Sequence, residues 1–322
     1  MSSRKVVVIT GPTATGKTAL GAAVAKMVDG EVVSADSMQV YKHMDVGTAK
    51  PSEAEKMGVP HHMIDVVAPW EDYSVARYVQ EATLHIDDVL RRGKTPVIVG
   101  GTGLYIDSLI SGREFSTRGD ETRRRELGSE YDEHGGEAML HKLRCIDPDS
   151  AAKLHANDKK RIVRALEVFE TTGETISKHD AETKTLPPRY SAAKFACTYS
   201  RRQELYARIE ARVDEMMSRG LADEVRNLLD MGVSPGCTSM QAIGYKEIAQ
   251  ALLGDRDMAA AAEKIKLESR HYAKRQLTWL RRDADVNWIS WEEEPDFESA
   301  LQLVLRIANN PFRLIGGACE KK

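Results

Sequence analysis

Short unbroken apolar runs alternate, over the first hundred residues, with segments whose apolar positions recur every three or four. Val6 to Ile9, Val32-Val33 and Val97 to Val99 are bounded by glycine or polar turn residues, which predicts buried strands over 6–10, 31–34 and 96–99. Between them Ala19, Leu20, Ala23, Val24 and Met27 predict a helix over 17–28 that ends near Gly30. Val75, Tyr78, Val79, Ala82, Ile86, Val89 and Leu90 predict another over 74–92, closing at Gly93. Strand, helix, strand, helix, strand predicts a parallel sheet with helices on its faces, and ligands of such sheets sit beyond the carboxyl ends of the strands. From about Thr117 the pattern becomes helical, with charge-rich turns and almost no strand signal. Asp147-Pro148 reads as an N-cap followed by proline at the first helical position, and a further helix runs from Asn157-Asp158 to just before Gly173. Thr185 to Pro188 reads as an exit linker and Lys194 to Tyr199 as a returning strand; beyond residue 201 the pattern is mainly helical.

Chemistry enters at the end of the first run. Gly11-Pro12-Thr13-Ala14-Thr15-Gly16-Lys17-Thr18 is a G-x-x-x-x-G-K-T loop between a predicted strand and a predicted helix, the context the motif requires. Such a loop turns successive amides onto an anion, the helix terminus adds partial positive charge, and Lys17 adds a full one. Thr18 is placed to ligate a magnesium ion between phosphate oxygens. The fold expected is therefore α/β, a P-loop NTPase-like parallel sheet flanked by helices with an inserted all-helical domain. Its boundaries are expected at 1–117 plus 190–310 for the core and 118–189 for the insertion, with 311–322 a flexible tail.

Three further constellations sharpen the ligand. Nucleotide hydrolases pair this loop with a buried strand ending in Asp, which holds the magnesium water shell. Here Val97-Ile98-Val99 ends in Gly100-Gly101-Thr102-Gly103 instead, and Asp36 is the acid that follows a strand near the loop. Asp36 reads either as a turn cap or as a carboxylate facing the phosphates that takes a proton from a nucleophile. Thr102 reads as a hydrogen-bonding hydroxyl in a glycine turn approached closely by ligand. On the helix over 203–219, Leu205, Ile209, Val213 and Met216 form the apolar stripe, with Arg212 inside it and Arg208 at its margin. An arginine there either snorkels, pairs with an acid, or points inward at a diphosphate.

Composition narrows the classes. In 322 residues, 42% hydrophobic and 30% charged content describes an ordinary soluble protein, and the longest apolar run is far too short for a membrane helix. Cys145, Cys197, Cys237 and Cys319 are scattered without a C-x-x-C pair, which suits reduced thiols rather than zinc or a disulfide framework, and a cytoplasmic location is expected. Net charge is −3, so binding to nucleic acid would rest on local patches. Lys159-Lys160-Arg161 with Arg164 is one; 264–282 is another, with seven Lys or Arg against Glu268 and with Trp279, Trp288 and Trp291 interleaved or nearby. Each reads as a solvated helix face or as a surface for an RNA backbone.

Taken together, GPTATGKT, SADSMQVY with MDVGTAKP, HHMID, GGTGLYI, NDKKRIVRALEV, QAIGYKE and AKRQLTWLRRD resemble the bacterial tRNA dimethylallyltransferases over roughly residues 5–310. Thr15 stands where serine is common, and the zinc finger of eukaryotic members is missing. The resemblance implies transfer of a dimethylallyl group from dimethylallyl diphosphate to the N6 amine of the adenosine 3′ of the anticodon. It implies that the loop from Gly11 to Thr18 holds the diphosphate, with Pro12, Thr13, Ala14, Thr15, Gly16 and Lys17 in the cradle and Arg212 assisting. Asp36, Thr18 and Arg212 would be the catalytic groups, with Mg2+ at Thr18. For the tRNA anticodon stem-loop it implies contacts from Asp36, Ser37, Met38 and Gln39, from Thr102, and from Arg124. Two further contact segments are Lys160, Arg161, Ile162, Val163 and Arg164, and Gln241, Ala242, Ile243, Gly244, Tyr245 and Lys246. No membrane partner is expected, and the chain is expected to be monomeric. An adenylate isopentenyltransferase, a nucleotide kinase and a non-catalytic RNA-binding protein remain as rivals; the first two share the loop and would label AMP or move phosphate from ATP.

Overall fold

The computed structural model describes residues 4–112, 120–185, 187–254 and 257–308. The tail expected over 311–322, Cys319 and the segment 113–119 lie outside the described residues. In chain order the elements are β1 (Lys5–Thr10), α1 (Lys17–Met27), β2 (Gly30–Ser34), β3 (His61–His62), α2 (Val75–Arg91), β4 (Thr95–Gly100) and α3 (Gly103–Ser111). Then come α4 (Glu121–His134), α5 (Gly136–Ile146), α6 (Pro148–Ala151), α7 (Lys159–Thr172), α8 (Ile176–Lys184) and β5 (Ser191–Tyr199). The chain closes with α9 (Arg202–Ser218), α10 (Leu221–Asp230), α11 (Tyr245–Leu253), α12 (Met258–Leu280), β6 (Val286–Trp291) and α13 (Phe297–Ala308).

The strands form one six-stranded sheet in the order β3-β2-β4-β1-β5-β6, and every pairing in it is parallel. β1 is central, with β4 on one side and β5 on the other, so the chain reverses direction across the sheet at β1. The loop after β1 therefore opens at the topological switch point, where a crevice forms outside the strand ends. Register brings the other candidate turns to the same edge: Thr10 pairs with Gly100 and Ser34 with Val99. The sheet's residues are apolar on both faces because helices cover both: Val7, Ile9, Val97 and Phe195 are buried on one face and Val8 and Ile98 on the other.

Contacts divide the chain into a unit of 1–112 with 189–322 and a second unit of 113–188. The second has its own core of Leu127, Met139, Leu143, Ile162 and Leu166. Within it Glu167 is fully buried and receives Arg124 at 2.8 and 3.0 Å and Arg164 at 3.0 Å, so one interior carboxylate joins α4 to α7.

One element departs from expectation. The stretch beyond residue 201 is not purely helical, because Val286–Trp291 is the sixth strand, paired with β5 from Lys194–Val286 to Tyr199–Trp291. Its alternation is short and follows a basic helix, and it becomes a strand by adding to the edge of β5. Trp291, expected beside an RNA-suited patch, is instead a core residue at 4% exposure.

At the opposite edge Glu31 on β2 is buried and ringed by cations. Arg92 grips it at 2.5 and 2.7 Å, and His62 lies 2.8 Å away. The Arg92 hydrogen bonds, helped by His62 and opposed by burial, pull the Glu31 carboxyl down to about 2. A carboxylate with a folded pKa below its unfolded value stabilises the fold above the unfolded value, and that contribution is lost as pH falls through the folded one. Urea titrations of wild type and E31Q should accordingly differ most near neutrality and converge between about pH 4.5 and 2. A gap that persists unchanged to pH 2 would show that Glu31 acts through packing rather than charge.

Candidate active site

Between β1 and α1 the backbone turns back on itself, with Gly11 (φ 141°), Ala14 (φ 63°) and Gly16 (φ 76°) in the left-handed half of backbone space. Helix α1 starts at Lys17 without a side-chain cap and without an acidic residue in its first turn. Its first amides and its dipole are thus left for an external anion. The loop is held from three directions. Thr15 Oγ1 donates to the Pro12 carbonyl at 2.8 Å, and the Trp291 indole donates to the Thr15 carbonyl at 3.0 Å. Gln276 on α12 accepts the Thr13 amide at 3.3 Å and donates to the Gly101 carbonyl at 2.9 Å, tying the phosphate loop to the glycine turn after β4.

Two cations converge on this loop. Lys17 Nζ donates to the Pro12 carbonyl at 3.3 Å, and burial, aided by the nearby Arg212 charge, pushes the ammonium down to about 8. Arg212 comes from α9, lines the same cavity and keeps a buried Nε with no hydrogen-bond partner among the described residues. Burial lowers its pKa too, with Asp36 acting in the opposite direction. A buried N–H without an acceptor costs about 1–3 kcal/mol, which an anion in the cavity would recover. Arg208, one turn away, does not enter the cavity: it pairs with Glu294 and donates to the Glu293 carbonyl at 3.4 Å. Of the two arginines, Arg212 is the one that lines the cavity.

Asp36 follows β2, caps a turn and lines the cavity. Its Oδ1 accepts the amides of Met38 at 2.9 Å and Gln39 at 3.4 Å, an Asx-type cap that fixes the turn. Oδ2 has no hydrogen-bond partner among the described residues, and Asp36 lines the cavity with Lys17 and Arg212. Across the edge, the Ser37 amide donates to Thr102 Oγ1 at 3.0 Å, so the β2 and β4 turns are locked together. Glycine is required at the end of β4 because a Cβ on Gly100 would lie 2.2 Å from the Ala35 carbonyl oxygen.

The cavity holds about 350 Å³. One wall carries Thr13, Lys17, Thr18 and Arg212; another is apolar, from Ile209, Val213 and Met216 on α9 and Ile265 on α12. A third carries Asp36 to Gln39 and Gln241 to Gly244. Sequence reasoning missed Tyr272, Gln276 and His61, all of which line it. Ile265, Ser269, Tyr272 and Gln276 share one face of α12 at spacings of four, three and four, a signal that was hidden beneath the basic run. His61 Nδ1 lies 2.8 Å from the Val59 carbonyl, which only accepts, so Nδ1 carries the proton and the buried Nε2 offers an unused lone pair.

Other expected residues are distributed less simply. Thr102 is at the edge just described, but it is absent from the cavity wall itself. Ile162 and Val163 are buried in the core of the small unit, because they occupy the apolar face of α7; Lys160, Arg161 and Arg164 present their side chains to solvent. Arg124 is committed to Glu167 while retaining 48% side-chain exposure. Tyr245 is fully buried, with its hydroxyl on Glu224 at 2.5 Å. Three of the seven cations in the basic run are paired within the protein, Lys264 with Glu268, Lys266 with Asp214 and Glu263, and Arg270 with Glu210. Lys274, Arg281 and Arg282 remain exposed, with no ion pair among the described residues. Of the tryptophans nearby, Trp279 donates to Asp107 at 2.9 Å and Trp288 is 38% exposed.

No group of three His, Cys, Asp or Glu side chains suited to a metal occurs among the described residues, and no helix there is long and apolar enough to cross a membrane.

The chain matches the family model described as IPP transferase over residues 39–283 and that described as isopentenyl transferase over residues 4–65. It is 48% identical over 289 residues to a tRNA dimethylallyltransferase of Acetivibrio thermocellus, covering 89% of this chain and 92% of the relative. With a second such enzyme, from Geotalea uraniireducens, identity is 46%, covering 90% and 93%. Among solved structures, a full-length tRNA isopentenylpyrophosphate transferase from Bacillus halodurans superposes with a TM-score of 0.72 at 41% identity, covering 97% of each chain. A eukaryotic dimethylallyltransferase acting on tRNA gives 0.82 at 31% identity, covering 95% of this chain and 79% of its own.

The paired cations set a pH limit on anion capture. In the free protein Lys17 loses its proton near pH 8, so affinity for an organic diphosphate should fall by up to about tenfold per pH unit above that point. R212Q removes a charge that depresses Lys17, so its affinity at pH 7 should be lower but its midpoint should move to higher pH. Calorimetric titrations from pH 6 to 10 measure both; an unmoved midpoint would mean that the two cations do not share one ligand.

Proposed function

The chain belongs to the IPP transferase family, the tRNA dimethylallyltransferases, and on that basis we propose how its cavity carries out the reaction of the family. The enzyme transfers a dimethylallyl group to tRNA. The donor is dimethylallyl diphosphate and the acceptor the exocyclic N6 amine of the adenosine 3′ of the anticodon. The observation that carries this reading is the meeting, in one cavity, of an anion cradle with an aliphatic wall and a carboxylate that has one oxygen free. A phosphate cradle alone would suit a kinase; the wall of Ile209, Val213, Met216 and Ile265 suits a branched five-carbon chain.

The chemistry follows from where charge grows. Breaking the allylic carbon–oxygen bond leaves its electron pair on diphosphate, and the loop amides, Lys17 and Arg212 lie around that position. Thr18 offers a hard oxygen donor of the kind Mg2+ takes, and with no larger cluster among the described residues the ion would draw its other ligands from diphosphate and water. Bound there, it would offset part of the charge on the leaving group. The adenine amine is a weak nucleophile because its lone pair is delocalised into the ring. Asp36, held by the amides of Met38 and Gln39 on one oxygen, presents the other to orient the amine and take its proton as the carbon–nitrogen bond forms. The base must leave its stack to arrive, and Ser37 to Gln39 with Gln241 to Gly244 form the wall it would enter along. In the second unit, Lys160 and Arg161 are exposed without an ion pair among the described residues and would contact the RNA backbone, beside Arg164 on Glu167.

Unmodified tRNA, Mg2+ and radiolabelled dimethylallyl diphosphate should yield labelled tRNA, with AMP unlabelled in parallel. Label confined to AMP, or phosphate transfer from ATP, would overturn the reading. D36N keeps an oxygen for the turn but lacks the proton acceptor, so its transfer rate should fall by on the order of 10²–10⁴. Its binding of dimethylallyl diphosphate should hold or tighten, since a negative charge near the cradle is removed; lost binding would make Asp36 a metal or structural residue.

A further inference from the structure

The loop Asp45-Val46-Gly47 lies in the stretch MDVGTAKP and donates its backbone amides to a residue 177 to 179 positions further along the chain. Glu224, in the first turn of α10, accepts Asp45 and Val46 on Oε2 at 2.7 Å each, and Gly47 on Oε1 at 3.1 Å. The same Oε1 accepts the hydroxyl of the buried Tyr245 at 2.5 Å. Four donors on two oxygens are what an ionised carboxylate can satisfy and an amide cannot. The loop also has no room to shift: a Cβ on Gly47 would sit 2.5 Å from the Tyr245 ring and 2.8 Å from Leu221.

This loop touches the chemistry indirectly. Gly47 and Thr48 line the cavity, and the Thr48 and Ala49 carbonyls accept the Gln39 side-chain amide at 3.3 and 3.2 Å. Gln39 Oε1 in turn accepts Ser34 Oγ at 3.0 Å, while the Gln39 amide sits on Asp36 Oδ1. A continuous set of hydrogen bonds thus runs from Glu224 through the 45–49 loop and Gln39 to the turn that aims Asp36.

We propose that Glu224 is a positioning residue for the acceptor wall: its carboxylate clamps the 45–47 loop, and through Gln39 that clamp holds Asp36 in the orientation the acceptor needs. The inference rests on the role given above to Asp36 and adds to it a residue on α10 far from the reacting atoms. In E224Q one oxygen becomes an NH2 group, so two of the four donors lose their acceptor and the loop loses its fixed position. The donor side, built from the phosphate loop, α9 and α12, shares none of these bonds.

The test uses the full chain. E224Q should transfer label to tRNA about tenfold or more slowly in kcat, while calorimetry without tRNA gives a dissociation constant for dimethylallyl diphosphate within about threefold of wild type. Amide hydrogen exchange at 45–47 should accelerate by about tenfold or more in E224Q. Y245F removes one bond but leaves all three amides on the carboxylate, and the ring is fully buried and off the cavity wall, out of reach of tRNA, so it should stay within about threefold of wild type in both rate and exchange. A rate for E224Q within about twofold of wild type would overturn the proposal. So would a parallel loss of donor binding, which signals collapse of the whole cavity, or a Y245F variant as slow as E224Q, which would assign the effect to packing of α10 on α11. If wild type itself leaves tRNA unlabelled, the catalytic reading fails, and the exchange measurement alone then decides the clamp: unchanged exchange in E224Q disproves it.

Discussion

Two buried cations on one cavity wall are the constraint around which the rest of the molecule is arranged. Lys17 and Arg212 line one cavity, each has its charged form disfavoured by burial, and each feels the other or Asp36 as a neighbour. Folding carries that cost because α1 must start at the sheet's switch point and α9 must bury its apolar stripe. The stripe of Leu205, Ile209 and Val213 packs into the core, and Arg212, its neighbour in sequence, is carried inward with it. Such a site is complementary to an anion before one arrives, so little reorganisation accompanies binding. It also sets a requirement on the flanking structure, since like charges would separate if loop and helix were not held.

Stiffness comes from the far end of the chain. Gln276 bridges the phosphate loop and the glycine turn, Trp291 pins Thr15 from behind, and Phe297 fills the space where a Cβ on Gly16 would go. The acceptor wall depends on a separate set of bonds, through Glu224, the 45–49 loop and Gln39. Donor and acceptor walls thus share a cavity while being braced by different elements. A perturbation of one can therefore leave the other in place, which is what separates effects on binding from effects on transfer.

Much of the donor half was legible in the chain because its signals are local. A glycine-rich loop with Lys17 and Thr18 between strand and helix is contained in eight residues, and the inward Arg212 follows from counting positions along one helix. Asp36 was legible by elimination, as the acid at a strand end near the loop. The bracing was not legible, because Glu224 meets its loop across some 178 residues and Trp291 meets Thr15 across 276. No periodicity encodes such pairings. The basic run over 264–282 misled in a different way: its net charge hid that α12 lies against α9, whose Glu210 and Asp214 absorb Arg270 and Lys266. Tyr272 and Gln276 of the same helix line the cavity, and charge counting passes over them. Val286–Trp291 was lost for a related reason, since a six-residue edge strand takes its conformation from β5 rather than from its own pattern.

The glycine end of β4 connects the fold to the chemistry most directly. Where a phosphate-loop hydrolase places an aspartate to hold the metal's water shell, this chain has Gly100, and the space a side chain would need is taken by the Ala35 backbone. The Ala35 amide donates to the Val99 carbonyl at 2.8 Å and the Thr102 amide returns to the Ala35 carbonyl at 3.1 Å, so β2 and β4 are fused at their tips. That fusion advances the next residue, Asp36, into the cavity on the strand beyond β4 from the phosphate loop. The carboxylate thereby lines the cavity from the β2 turn rather than from the end of β4. A water-activating arrangement needs its acid close to the phosphorus; displacement at an allylic carbon needs it one carbon beyond, where the incoming amine must shed its proton. On the role proposed for Asp36, moving the carboxylate by one strand is what turns the site from phosphorus toward the allylic carbon.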